Sequence, residues 1–293
     1  MQHVITAVGP TPCQKCRAFL SMLRDLGSLT IEWLILFLVT FSNYFIINFL
    51  LTHLLYYFMS ISREKFRVWG DVFDMFTERN LFKLVSQEHF DEDSLVPISI
   101  GKEGNIFAAF KGEKKVIVKI YRLEACDFNR MYDYLKQDPR YQNLKKQRRK
   151  VVFAWCQREY RNLWIAREAN VRVPMPIAFL YNILVMEFIG DESAALKIKD
   201  DVPKNKKLFF NEVIENLTKL YRGGLAHADL SAFNILNYHE KPVFIDFSQA
   251  LPVKAPHARE YLERDVKNIS SFFVKYGIKI NQKNIVKKII TLE

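Results

Sequence analysis

The stretch LAHADLSAFNIL, residues 225–236, sets His227, Asp229 and Asn234 among apolar neighbours. A carboxylate followed by an amide five positions on can position a hydroxyl and offer an oxygen to a metal. It can equally be a polar turn in which Asp229 caps the next helix. Asp246 closes the apolar run VFID, where a purely structural sequence more often places a turn residue. Lys119 stands inside the strand-like run VIVKI, and Glu159 lies in the helical segment that follows. Alone, a strand lysine and a helical glutamate usually face solvent. In this chain order the five residues meet the needs of phosphoryl transfer from ATP. A lysine holds the α- and β-phosphates, a helical glutamate orients it, one aspartate positions the acceptor hydroxyl, and an asparagine with a second aspartate holds magnesium. The run SIGKEGNIF, with Gly101 and Gly104, precedes Lys119 and suits a phosphate-covering loop, although two glycines alone are weak evidence.

These residues need a scaffold, and the pattern supplies one. Residues 64–88 show helical spacing, with Val68, Val72, Phe73, Phe76, Leu81, Leu84 and Val85 on apolar faces. Alternation around Ile98 and Ile100, a turn at Lys111-Gly112 and the run containing Lys119 predict a β-meander. Residues 151–169 predict a helix, and AFLYNILVMEFI predicts two strands turning at Tyr181-Asn182. Leu208–Tyr221 predicts a helix stopped by Gly223 and Gly224. PVFIDFSQA reads as a buried strand, and a helical region opens at Ala258. A β-rich half joined to an α-rich half makes a two-lobed α+β fold. The expected divisions are an N-terminal extension over 1–62, a short helical region over 63–97, a first lobe over 98–190 and a second over 191–293.

The 293 residues are 49% hydrophobic, enough for a sizeable core. Net charge is +11, of which +10 lies beyond residue 62, favouring polyanionic partners. Cys126 and Cys156 are isolated, which points to a reducing compartment, hence a cytoplasmic location; Cys13 and Cys16 form a lone C-x-x-C without a second pair. Residues 33–62 carry no Asp, Glu, Lys or Arg, and the cations Arg63, Lys65 and Arg67 follow. That run, chiefly 33–58, is long enough for a membrane-spanning helix with a cytoplasmic C-terminal side, though Asn43, Asn48 and His53 fall inside it. The alternative is a start at Met59, with membrane contact only if 33–58 is translated.

On GKEGNIF, HADLSAFNIL, IDFSQA and the closing HAREYLERDVKNISSFF, the chain resembles the Rio family of atypical serine/threonine protein kinases, specifically its first branch, from about Val72 onward. The resemblance implies a protein-kinase-like fold without the usual activation loop and peptide-binding subdomains. Only 47 residues follow Asp246, and no Ala-Pro-Glu segment occurs among them. It implies ATP with Mg2+, or Mn2+ in its place. Lys119 looks like the phosphate-contacting lysine, Glu159 its ion-pair partner, Asp229 the catalytic aspartate, and Asn234 and Asp246 the metal ligands. Lys102 would approach the phosphates; the backbone of Glu187 and Ile189 would meet adenine beside Met186. Asp246 would also be the site of a phosphorylated intermediate, allowing an ATPase-like cycle. The implied partner is a precursor of the small ribosomal subunit, both RNA and protein. The chain departs from the family at Gly104 (usually alanine, so the loop should loosen), at Ala232 (often acidic) and at Ser248, where many kinases have glycine.

Two rival functions share some of these features. One is a small-molecule kinase of the aminoglycoside or choline type; GKEGN and RDVKNI speak against it. The other is a non-catalytic ATP-binding RNA assembly factor. KQDPRYQNLKKQRRK, residues 136–150, has seven basic residues and one acid, and its blander meaning is a solvated loop.

Overall fold

Period-two burial builds the first half of the fold. In the computed structural model, which describes residues 73–101, 104–124 and 126–291, strand β2 (Gly104–Lys111) buries Asn105, Phe107 and Ala109. Strand β3 (Lys114–Tyr121) buries Val116, Val118 and Ile120. Successive strand side chains face opposite ways, so the same alternation turns Lys119 to the other face. With β1 (Val96–Ile100), β4 (Pro176–Leu180) and β5 (Ile183–Glu187) these strands form an antiparallel sheet in the order β1-β2-β3-β5-β4. Lys119 sits opposite Ile106 on β2 and Leu184 on β5.

The first described helix, α1 (Met75–Ser86), is shorter than the spacing over 64–88 predicts; residues 64–72 lie outside the described residues. Asp74 sets its start. The Asp74 carboxylate accepts from the Phe76 and Thr77 amides, a cap worth about 1 kcal/mol. The hairpin tip is one residue later than expected. Lys111 pairs with Lys114, leaving Gly112-Glu113 as the turn, and Gly112 takes φ +59°. The turn at Tyr181-Asn182 between β4 and β5 is where the pattern puts it.

The run over 136–150 is not all solvated loop, and the segment around it, from Tyr121 to Val152, has its own short elements. It contains helix α2 (Phe128–Lys136), a 3-10 turn at Pro139–Tyr141, and the start of α3 (Arg148–Glu168). Gly104 also has a packing role. It is paired with Tyr121 at the start of β2, and a Cβ there would lie 2.9 Å from the Ile120 carbonyl oxygen, so glycine permits close approach of two strands.

Helices α4 (Lys206–Arg222), α5 (Ala258–Val274) and α6 (Gln282–Thr291) make the second half, with the small pairs β6 (Leu225–Ala226)–β9 (Leu251–Pro252) and β7 (Ile235–Tyr238)–β8 (Lys241–Phe244). Gly223 caps α4, and Gly224 takes φ +87°. The strand in PVFIDFSQA ends at Phe244, before Asp246. One apolar cluster joins Trp155 and Leu163 of α3 to Phe209 and Leu217 of α4 and to Val266 and Phe273 of α5. Cys126 and Cys156 are both buried. No helix of the described residues is long and apolar enough to cross a membrane; Cys13, Cys16 and the run 33–58 lie outside them.

Candidate active site

Lys119 is the meeting point. Its ammonium lies 2.8 Å from Glu159 Oε1 and 3.1 Å from Asp246 Oδ1. The side chains of Lys119 and Glu159 are 11% and 1% exposed, that of Asp246 39%. Burial alone would discharge the lysine, but Asp246 and Glu159 outweigh it and hold Lys119 charged, well above its ordinary range. Burial pushes the Glu159 carboxyl up, against the pull of Lys119 and a hydrogen bond donated by the Tyr121 hydroxyl to Oε2. Asp246 goes the other way. Burial opposes its charge, yet Lys119 and the Ser248 hydroxyl, donating at 2.8 Å, bring it down to about 2.

The loop carrying Asp229 is braced from α5. Asp265, wholly buried, accepts from the Ala228 amide at 2.9 Å and the Leu230 amide at 2.8 Å, so its carboxylate straddles Asp229. Burial pushes Asp265 up to about 8, against those two N–H donors and the nearby Arg264. Ala228 has φ +65° and Asp246 φ +64°, a left-handed conformation that costs a non-glycine residue free energy and that clusters at functional sites. His227 is buried and neutral, its pKa lowered to about 4 by desolvation. Its Nε2–H donates to the Ile245 carbonyl at 3.2 Å, tying this loop to the strand end that presents Asp246. Asp229 accepts from Asn234 Nδ2 at 3.3 Å and Gln249 Nε2 at 3.2 Å; burial and the charge of Asp246 raise its pKa.

These groups border a cavity of about 470 Å³, within the ordinary range for a small-molecule site. Lys119, Glu159, Asn234, Asp246 and Ser248 line it, as do Met186, Glu187 and Ile189. The Glu187 carboxylate is engaged outside the strand ladder, accepting from the Met175 amide at 2.9 Å and from Arg172 at 3.3 Å. Its backbone N–H donates to the Met175 carbonyl, whereas the Ile189 N–H bonds no described residue. Asp229 adjoins the cavity through Asn234. Lys102 lies outside the described residues. The other sequence-selected site residues are thus drawn to one cleft, over 127 positions of chain between Lys119 and Asp246.

The family model of the RIO domain matches residues 105–286. The chain belongs to the RIO family. A curated relative, the RIO-type serine/threonine-protein kinase Rio1 of Haloferax volcanii, is 41% identical over 216 residues, 73% of this chain and 74% of that protein. The Rio1 of Methanocaldococcus jannaschii is 38% identical over 77% of this chain and 78% of its own length. The RIO chain described here is therefore of the Rio1 branch and is a RIO-type serine/threonine-protein kinase. Its fold is shared with the Rio2 kinase of Chaetomium thermophilum, solved as an ADP/Mg2+-phosphoaspartate complex (TM-score 0.55, 22% identity, 73% of this chain and 66% of that one).

Sequence reasoning missed the residues of this RIO chain that brace the site. Arg158 Nε donates to the Ser248 carbonyl at 2.8 Å, and Nη2 bonds the same oxygen. Asn162, one turn on, donates to the carbonyls of Phe247 at 2.9 Å and Ala250 at 2.7 Å. Both side chains are wholly buried, and desolvation brings Arg158 down to about 10. No sequence signal set them apart: Arg158 and Asn162 lie in the polar run Gln157-Arg158-Glu159-Tyr160-Arg161-Asn162, whose members differ in burial only once the helix is packed. Asp265, Gln249 and Tyr121 gave no sign either.

Proposed function

We propose that this kinase transfers the γ-phosphoryl group of ATP, with Mg2+, to a serine or threonine hydroxyl, and that it does so during maturation of the small ribosomal subunit. The observation that carries the reading is the ammonium of Lys119 held between Glu159 and Asp246 at the wall of a nucleotide-sized cavity. Lys119 supplies the charge for the α- and β-phosphates, and Glu159 fixes its direction. Asp229, its pKa raised toward that of a usable base, receives the proton of the acceptor hydroxyl as the oxygen attacks phosphorus. The bond from the γ-phosphorus to the bridging oxygen breaks, and ADP leaves. The backbone at Ile189, whose N–H bonds no described residue, and at Glu187 suits the adenine edge.

The donor set suits magnesium, a hard cation bound by few protein oxygens. Asp246 stays ionised at any physiological pH, and Asn234 turns its Nδ2 to the Asp229 carbonyl at 2.8 Å, leaving its amide oxygen for a cation. Bound there together with ATP, the ion would neutralise charge on the phosphates. Asp246 is also the candidate for a phosphorylated intermediate: its carboxylate oxygen would attack the γ-phosphorus, ADP would leave, and water would hydrolyse the acyl-phosphate to return the carboxylate. A phosphoaspartate in the Rio2 structure supports this ATPase route.

The ribosomal partner rests on family membership and charge. Lys145, Lys146, Arg148, Arg149 and Lys150 are exposed at the start of α3, with Lys146 and Arg148 over the Phe128 ring. The test of the chemistry is Asp229→Ala: turnover should fall by orders of magnitude while nucleotide binding persists. Turnover at the wild-type rate in the purified variant contradicts the assignment.

A further inference from the structure

Six charged side chains among the described residues line the cavity: Lys119, Glu159, Glu187, Lys197, Asp200 and Asp246. Five are already matched. Glu159 and Asp246 share Lys119, Glu187 pairs with Arg172, and Asp200 pairs with Lys199. Lys119 is charged but brings no surplus, because two carboxylates flank it. Lys197 is in ion-pair contact with no described carboxylate. A cavity that takes a polyanion needs positive charge beyond what its own carboxylates consume, and Lys197 is the lining residue that carries it.

Backbone geometry aims this side chain inward. Residues 197–199 run beside the segment that holds the asparagine: Lys197 forms an antiparallel bridge with Leu236, the Ile198 amide donates to the Ile235 carbonyl at 2.9 Å, and the Lys199 amide donates to the Ala232 carbonyl at 3.3 Å. Bridge partners project to the same side, and Leu236 lines the cavity. Ile198, the next residue, is wholly buried on the opposite side. Asn234 is two residues from Leu236, about 7 Å of extended chain, a span a lysine side chain covers.

We infer that Lys197 is a second phosphate-binding cation, contributed by the half of the fold opposite the sheet, that contacts the ribose-linked phosphates of the bound nucleotide. This deepens the reading of the cavity as a nucleotide site and rests on it. The contact is to phosphate rather than base, since an ammonium gains nothing comparable from neutral adenine. Lys119 and Lys197 would then grip the polyphosphate from opposite walls, and Lys197 would discriminate ADP and ATP from adenosine.

The test is calorimetric titration of the full chain and its Lys197→Met and Lys197→Arg variants with adenosine, AMP, ADP and ATP in Mg2+ buffer. A lost charge-assisted hydrogen bond weakens binding about 10–100-fold. Lys197→Met should lose that factor for ADP and ATP, keep wild-type affinity for adenosine, and show a smaller salt dependence. Lys197→Arg should recover most of the loss. Unchanged ADP affinity in Lys197→Met overturns the inference. Equal loss for adenosine and ADP also overturns it, since the residue would then merely shape the wall. Wild-type protein that binds none of the four nucleosides and nucleotides would instead overturn the nucleotide reading itself.

Discussion

Replacing Lys119 by methionine should convert a balanced site into a destabilised, pH-sensitive one. Methionine nearly preserves the volume but leaves Glu159, 1% exposed, without its cation and close to the Asp246 charge. Breaking a buried ion pair by removing one partner costs about 3–5 kcal/mol. For a domain of this size that is roughly 6–20 °C in Tm. The pH dependence follows from proton binding. Burial already raises Glu159, and without Lys119 its folded pKa rises further above its unfolded value. The native state then binds more protons than the unfolded state over the intervening pH range, so stability falls as pH rises. Lys119→Met should therefore lie close to wild type at pH 5 and well below it at pH 8. Lys119→Gln should show the same trend. Thermal unfolding of wild type and variants from pH 5 to 8 is the assay. A Tm difference that is flat across this range, or a loss under about 1 kcal/mol, would refute the view that Lys119 chiefly compensates buried negative charge.

The contribution of His227 to stability should be lost as pH drops from about 6.5, the unfolded histidine value, toward 4, because the unfolded state protonates His227 first, while Asp265 and Glu159, raised by burial, act in the opposite sense. The difference between wild type and His227→Phe in a pH-resolved melt should isolate the histidine and shrink as pH falls. No serine or threonine occurs between Ile100 and Glu192, and Tyr121 and Tyr141 are buried, so autophosphorylation between Tyr121 and Val152 should be absent. Mass spectrometry after Mg-ATP incubation should find phosphate as a hydroxylamine-labile group on Asp246 or on serines such as Ser193; stoichiometric phosphotyrosine at Tyr132, Tyr134 or Tyr141 contradicts this. If residues 136–150 contact ribosomal RNA, replacing Lys145, Lys146, Arg148 and Arg149 with serine should weaken small-subunit binding and flatten its salt dependence, and an unchanged slope removes the contact.

Much of the site was legible because phosphoryl transfer demands particular residue types in a particular order. Lys119, Glu159, Asn234 and Asp246 line one cavity, and strand alternation alone turns Lys119 away from Val118 and Ile120. Helix spans read equally well where periodicity was long, as in α3 and α4. Errors arose where local signals compete. The close approach of Gly104 to the cross-strand Ile120 carbonyl was not readable in sequence. The charge run over 136–150 looks like solvated loop, but Asp138 is buried, Arg140 binds it, and Arg140 Nη2 also reaches Asn162 at 2.9 Å. Such pairings depend on tertiary proximity, which no window of sequence contains.

The bracing residues explain why the site is two-sided. Left-handed backbone at Ala228 and at Asp246 costs roughly 1–3 kcal/mol at each position. The cost at Ala228 is offset from α5, where Asp265 takes the amides on either side of Asp229 and Arg264 bonds the Ala228 carbonyl. At Asp246 the offset comes from α3, where Arg158 and Asn162 hold the carbonyls of Phe247, Ser248 and Ala250 just beyond it. The same helix face carries Glu159, which fixes Lys119, which in turn bonds Asp246. Undocking α3 would therefore release the lysine's partner and the backbone bearing Asp246 together. The geometry of the site is thus coupled to the packing of one helix, and the exposed basic stretch ending at Lys150 runs into the first turn of that helix. A polyanion bound there would act on the same helix that sets Glu159, so binding at that surface and phosphoryl transfer in the cavity share one structural element.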